Sequence, residues 1–282
     1  MRLGEEDEQF AVLAETPKRK KGQIAFMVSF AKKTLVIAEM EARRIRHDPT
    51  DIITRAIQPA IWLLVFGQVF TRTRVIPTGH MSYMDFMAPG VLAQSVLFIA
   101  IFYGIAVIWE RDLGIIQKLL VSPTPRQALV LGRALSAGAR ALPQAVIIYI
   151  LCMLLGVHMD YSVLAILGVV AAVVLGACIF AIFSMIIAAL VKKRERFMGI
   201  GQILTMPLFF ASNAIYPIKF MPPWLQVISR ANPLTYEVDA LRGLMLKHGE
   251  CIYGLHYDFA VLLGMVILLV FLGGRIYPKV MT

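Results

Sequence analysis

The chain has 282 residues, a formal net charge of +10, and 59% hydrophobic against only 16% charged residues, with a mean hydropathy of +0.72. Too few polar side chains are present to cover a water-soluble globule, so that class is excluded. The positive excess comes with no nucleic-acid-binding module; it reads as loop bias and contact with anionic membrane lipids, and no nucleic-acid partner is expected.

Residues 1–22 run from acidic (Glu5, Glu6, Asp7, Glu8) to basic (Lys18, Arg19, Lys20, Lys21). This is the pattern of a flexible cytoplasmic tail, not a signal peptide, because no uninterrupted apolar region follows the charges. Within 23–48, Ile24, Met27, Phe30 and Ala31 share a helical stripe and a charged stretch follows, which predicts an amphipathic helix in the cytoplasmic interface. Asp48-Pro49 then turns the chain. Residues 49–282 form one membrane-spanning domain with six apolar runs, roughly 52–70, 86–109, 134–157, 161–191, 197–218 and 258–277, most of them about the 20 residues a helix needs to cross a bilayer. Arg55 and Arg140 lie toward the inner ends of their runs, where they can snorkel. Pro59, Pro143 and Pro207 suggest kinks. Runs this continuously apolar lack the period-2 alternation of a β-barrel. The fold class is therefore an all-α integral membrane protein.

Orientation follows from Lys and Arg, 22 of whose 28 positions fall in residues 1–55, the 110–140 region, the 192–196 loop and the tail. Short basic loops stay cytoplasmic, so both termini are predicted inside.

Between the second and third runs lies a charged, amphipathic segment, 110–126. Asp112 can cap a helix start, and Leu113, Ile116 and Leu120 recur on one face. Pro123 and Pro125 forbid continuation. Flanked by Arg111, Lys118 and Arg126, this helix is too short to bury itself and needs another surface. On the opposite side, two Pro/Asn turn signals separate short helices at about 223–230 and 234–246. They are too short to span and are read as interfacial or re-entrant, with Trp224 at headgroup level.

Gln202, Phe209, Asn213 and Tyr216 are spaced to share one face of the fifth run. An amide in lipid must face protein or a cavity, so these residues either line a substrate path or bridge helices within the protomer. Gln58, Gln68, Gln94 and Gln144 carry the same two readings. Gly168, Gly176, Gly199 and Gly201 are read as close-packing sites. His248, Cys251 and His256 share an outer loop, but their spacing matches no common zinc pattern, and no metal site is expected. Cys152 and Cys178 are inert packing residues. A membrane-embedded transferase would need clustered carboxylates for Mg²⁺, whereas Asp85, Asp160, Glu237 and Asp239 are scattered. A passive channel would leave the 110–126 segment without a purpose. No catalytic residue is assigned.

These features resemble the type-2 family of ATP-binding-cassette (ABC) exporter permeases. The resemblance is carried by Trp109 to Arg126, similar to that family's coupling segment, and by Ser212 to Arg242, where Pro217, Pro222, Trp224, Asn232, Pro233, Tyr236, Asp239 and Arg242 stand as in its signature. It implies six spans, an interfacial helix, a cytoplasmic coupling helix and external re-entrant helices before the last span. It also implies a homodimer with two copies of a separate ATPase subunit in the inner membrane, because this chain has no phosphate-binding loop of its own. ATP and Mg would sit on that partner and no cofactor on this chain. Glu110, Arg111, Asp112, Leu113, Ile116, Gln117, Lys118, Leu120 and Arg126 would meet the ATPase. The expected substrate is an amphipathic drug or lipid moved outward, with a lipid-linked saccharide as the alternative.

Overall fold

A computed structural model describes residues 57–73, 76, 81–113, 125–191 and 193–276. The tail at 1–22, the interfacial helix expected at 23–48, and Ile116, Gln117, Lys118 and Leu120 lie outside the described residues. The described chain is helical apart from turns and one isolated antiparallel bridge, Met159 to Leu246.

The first helix begins with residues 57–61, passes through a π-helical stretch at Trp62–Gly67 and ends as α1, Gln68–Thr73. Helix α2, Tyr83–Asp112, starts where the Ser82 hydroxyl accepts the Asp85 N–H at 3.1 Å. It is apolar on every side, and a helix of that kind must be buried; Leu92, Val96 and Ile101 have no exposure at all. Helix α3, Arg126–Leu154, begins after Pro125, which has no N–H to lose at a helix start, and ends at Gly156, whose φ of +75° makes the left-handed turn. Helix α4, Val163–Leu190, is capped by Ser162 and packs on α2 and α3.

Helix α5, Arg194–Phe210, is followed by α6 (Pro223–Ala231), α7 (Pro233–Met245) and α8 (Leu255–Ile276). Pro223 and Pro233 occupy first helical positions, and the Asn232 carboxamide oxygen accepts the Leu234 N–H at 3.0 Å. The short α7 does not sit on the surface. It wedges between α2, α4 and α8, with Leu234, Val238 and Leu241 fully buried. Gly176 of α4 makes this possible, because the Glu237 side chain fills the space a Cβ there would need. Outward faces of α3 (Val146, Ile150, Met153) and α8 (Leu263, Ile267, Phe271) are exposed and apolar, which suits contact with hydrocarbon.

Among the described residues, four helices, α2, α3, α4 and α8, are long and apolar enough to cross a membrane. The fifth expected run differs from its prediction. It forms a 17-residue helix that stops at Phe210 instead of continuing to 218. The reason is local: Ser212 Oγ donates to the Phe209 carbonyl at 2.7 Å and accepts the Ala214 N–H at 3.3 Å, so the side chain takes over backbone partners that a helix would use. Among the expected packing glycines, Gly168 and Gly176 each face a side chain of α7, while Gly199 has nothing within 4 Å.

The turn after α5 presses on α2 at Gly90, where a Cβ would lie 2.5 Å from the Ala214 carbonyl oxygen. Gly90→Ala should therefore lower stability by about 1–3 kcal/mol, as overpacking against backbone does. Thermal melting of the purified protein measures it, with Gly199→Ala as the neutral comparison.

Candidate functional site

A cleft of about 810 Å³ opens between residues 58–59, α2 and α3. One stripe of α2 forms its apolar wall: Phe98, Phe102, Ile105 and Trp109 recur at helical spacing. Polar groups gather on the opposite side. Arg140 and Gln144 come from α3, and Gln94 and Glu110 lie at the two ends of the α2 stripe. Gln94 and Gln144 are 2% and 1% exposed, and among the described residues neither amide has a hydrogen-bond partner. Buried amides without partners are costly in a low-dielectric interior, so this pair is suited to receive a polar group from a ligand. Arg140 stacks over Tyr103 at 5.2 Å, and the Tyr103 hydroxyl bonds Ser136 at 2.9 Å, which fixes the guanidinium.

At the end of the cleft nearest the 110–126 segment, α2 is tied to two other helices. Arg133 of α3 pairs with Glu110 at 2.5 Å, both largely buried. Arg194, the first residue of α5, lies over the Trp109 ring at 4.0 Å. Beyond them Arg111 pairs with Asp112 at 3.1 Å. Asp112 does not open a helix, contrary to the sequence reading: α2 runs through it and ends there, its last turn held by Glu110–Arg133 and by Arg194 over Trp109. Leu113 is exposed and Arg126 starts α3. Glu110 is thus committed to Arg133 inside the protein, while Arg111 remains bonded along the surface.

The fifth-run residues do not share one surface. Gln202 is exposed, and Phe209 is buried against Trp62 at 5.9 Å between ring centroids. Tyr216 donates back to the Phe210 carbonyl at 2.7 Å. Asn213 has no exposure. One orientation of its amide satisfies both ends, with nitrogen donating to the Thr235 carbonyl at 3.2 Å and oxygen accepting from Arg242 at 3.3 Å. Asn213 thus bridges elements inside the protomer, the second of its two readings. Gln58, Gln94 and Gln144 line the cleft, and Gln68 is exposed outside it. Arg133 and Arg140 were missed as site residues, although Arg133, Arg140 and Gln144 at i, i+7 and i+11 share a face of α3.

The residues around the outer motif hold α7 in place. The Arg242 guanidinium lies over the Phe86 ring at 4.1 Å, donates to the Asn213 backbone carbonyl at 2.8 Å, and stands 4.0 Å from Asp239. Asn232 Nδ2 donates to the Leu208 carbonyl at 2.7 Å, and the Tyr236 hydroxyl to that of Arg230 at 2.6 Å. Pro217 precedes a 3₁₀ turn at Ile218–Phe220, Pro222 sits at the start of α6, and Trp224 is exposed.

A family model described as ABC-2 type transporter matches residues 32–246. The chain belongs to that family and is an ABC transporter permease. A transport permease designated ycf38 from Cyanophora paradoxa is 26% identical over 227 residues, covering 76% of this chain and 74% of that protein. The daunorubicin resistance ABC transporter permease protein DrrB1 of Streptomyces coeruleorubidus is 28% identical, covering 72% and 71%. The inner membrane transport permease YadH of Escherichia coli K12 is 22% identical, covering 68% and 73%.

The Glu110–Arg133 pair gives a sharp expectation. Arg133→Leu removes the cation that pairs with a buried carboxylate and should cost about 3–5 kcal/mol. Adding Glu110→Leu should recover most of that loss, read as the melting temperature of single and double variants.

Proposed function

We propose that this chain is the transmembrane subunit of an ATP-driven exporter that moves an amphipathic drug-like or lipid-like molecule outward. In this reading two copies pair in the inner membrane, both termini face the cytoplasm, and two copies of a separate ATPase bring ATP and Mg. The observation that carries it is the cleft: an apolar α2 wall for a hydrophobic body, two unpartnered amides for a polar head, and a mouth ending at Trp109 and Glu110 beside the 110–126 segment. A relative named for daunorubicin resistance supports the same substrate class. In this scheme the ATPase pushes on the 110–126 segment. The Glu110–Arg133 and Trp109–Arg194 contacts pass that push to α3 and α5, biasing the bundle between two packings.

A lipid-linked saccharide is the second reading. It is favoured by a second cleft of about 820 Å³ at the other end of the bundle, where Tyr236, Tyr253 and Tyr257 cluster with ring centroids 5.3–6.1 Å apart. Such aromatic faces offer an amphipathic surface to a sugar.

Two substitutions test the scheme on the complex reconstituted with its ATPase. Gln144→Leu should weaken substrate stimulation of ATP hydrolysis by about 3- to 30-fold, the worth of one hydrogen bond in a membrane, without loss of assembly. Unchanged stimulation across drugs, lipids and glycolipids would remove the cleft from the transport path. Leu113→Asp should abolish transport while the chain still inserts; normal ATP-dependent transport would overturn the coupling role.

A further inference from the structure

Cys251 lies in the loop between α7 and α8, where the fold brings it against carboxylates from two different elements. Asp239 comes from α7 and Asp258 from the first turn of α8. One ligand atom from each of the three residues lies within 4.8 Å of the others. Asp258 is the member that demands an explanation. It has no solvent exposure, and among the described residues neither carboxylate oxygen has a donor other than the carboxyl of Asp239. Asp239 is provided for: the Tyr253 N–H donates to its Oδ2 at 3.0 Å, and Arg242 stands 4.0 Å from Oδ1. A buried carboxylate with no other donor, aimed at a second carboxylate, is stable only if a positive species sits between them.

We propose that Asp239, Cys251 and Asp258 bind a divalent cation of the zinc type. The donor set selects it, since a thiolate with two carboxylates suits zinc or cobalt, whereas magnesium and calcium take oxygen donors alone. Charge closes as well. The three ligands carry three negative charges, Arg242 one positive, and a divalent cation the remaining two. Access is open on one side: Cys251 and Tyr253 line the second cleft, so a fourth position faces space for water. Room for Sγ exists because Gly243 has no side chain; a Cβ there would collide with it. A tetrahedral site with bonds of about 2.0–2.3 Å places ligand atoms about 3.5 Å apart, so the side chains draw in by about 1 Å on binding. Burial, with Asp239 and Asp258 nearby, pushes the Cys251 thiol up to about 11. Cation uptake therefore releases a proton and strengthens as pH rises. The bound ion would fasten α7, the loop and α8 to one another.

The competing arrangement is a single proton shared by Asp239 and Asp258. Co²⁺ separates the two, using the full-length protein with Cys152→Ala and Cys178→Ala so that Cys251 is the one thiol. The expected result is a thiolate-to-cobalt charge-transfer absorption that saturates at one Co²⁺ per chain and is displaced by Zn²⁺. Cys251→Ser should abolish it. Asp258→Asn should weaken Zn²⁺ binding by more than about 100-fold, beyond the 10–100-fold that loss of a merely orienting neighbour costs. Melting supplies a second measure: Zn²⁺ should raise the midpoint of the parent protein and leave that of Asp258→Asn unmoved, although metal-free Asp258→Asn is at least as stable as the parent. No absorption at excess Co²⁺, an absorption that survives Cys251→Ser, or an equal Zn²⁺ response in Asp258→Asn would overturn the site in favour of the shared proton.

Discussion

The Arg242 guanidinium is almost wholly withdrawn from solvent, and the end of the bundle opposite Glu110 is organised around it. A charge in that position must be stacked, bonded and balanced at once, or it would not stay. Phe86 of α2 supplies the ring beneath it, the Asn213 carbonyl a strong acceptor, and Asp239 the opposite charge. Those partners come from α2, from the turn after α5, and from α7 itself. One side chain therefore fixes three elements, and the irregular backbone at 211–216 is tolerable because it is buried against protein and its polar groups are bonded. The Tyr83 hydroxyl adds to this by donating to the Ile215 carbonyl at 3.1 Å.

The other end of α2 is organised by charge in a different way. Glu110–Arg133 and Trp109–Arg194 tie the last turn of α2 to α3 and α5 through a buried ion pair and a cation–π contact. Charge at this end joins helices pairwise, whereas the Arg242 guanidinium gathers a ring, a carbonyl and a carboxylate around one group.

Sequence patterns carried α2, α3, α4 and α8, because continuous apolarity and length need no tertiary information. The two short outer helices were legible too, within a residue or so, from Pro223, Asn232 and Pro233. What failed did so where side chains override periodicity. Spacing put Gln202, Phe209, Asn213 and Tyr216 on one helix, but Ser212 ended that helix before Asn213 was reached. Asp112 has the chemistry of an N-cap, yet contacts of Trp109 and Glu110 with α5 and α3 hold the last turn of α2, and Asp112 stands at a helix end. The cleft was invisible as a unit because Gln94 and Gln144 meet only through the packing of α2 on α3. The same holds for Asp239 and Asp258, which stand 19 positions apart in the chain and share one buried site.

The contrast among the buried polar groups separates structure from function. Asn213 is fully satisfied by Thr235 and Arg242, so replacing it would remove bonds that the fold already uses. Gln94 and Gln144 are as deeply buried and have no partners, but they border an open cleft. Desolvation costs the three amides alike, and only Asn213 recovers that cost within the chain. The fold can retain Gln94 and Gln144 in that state if a guest or water completes them. Glu237 sets the limit of the argument. Among the described residues its oxygens also have no hydrogen-bond partners, yet it lies against Gly176 and lines neither of the two clefts. Among the amides of α2 and α3, burial without a partner coincides with adjoining open space at Gln94 and Gln144.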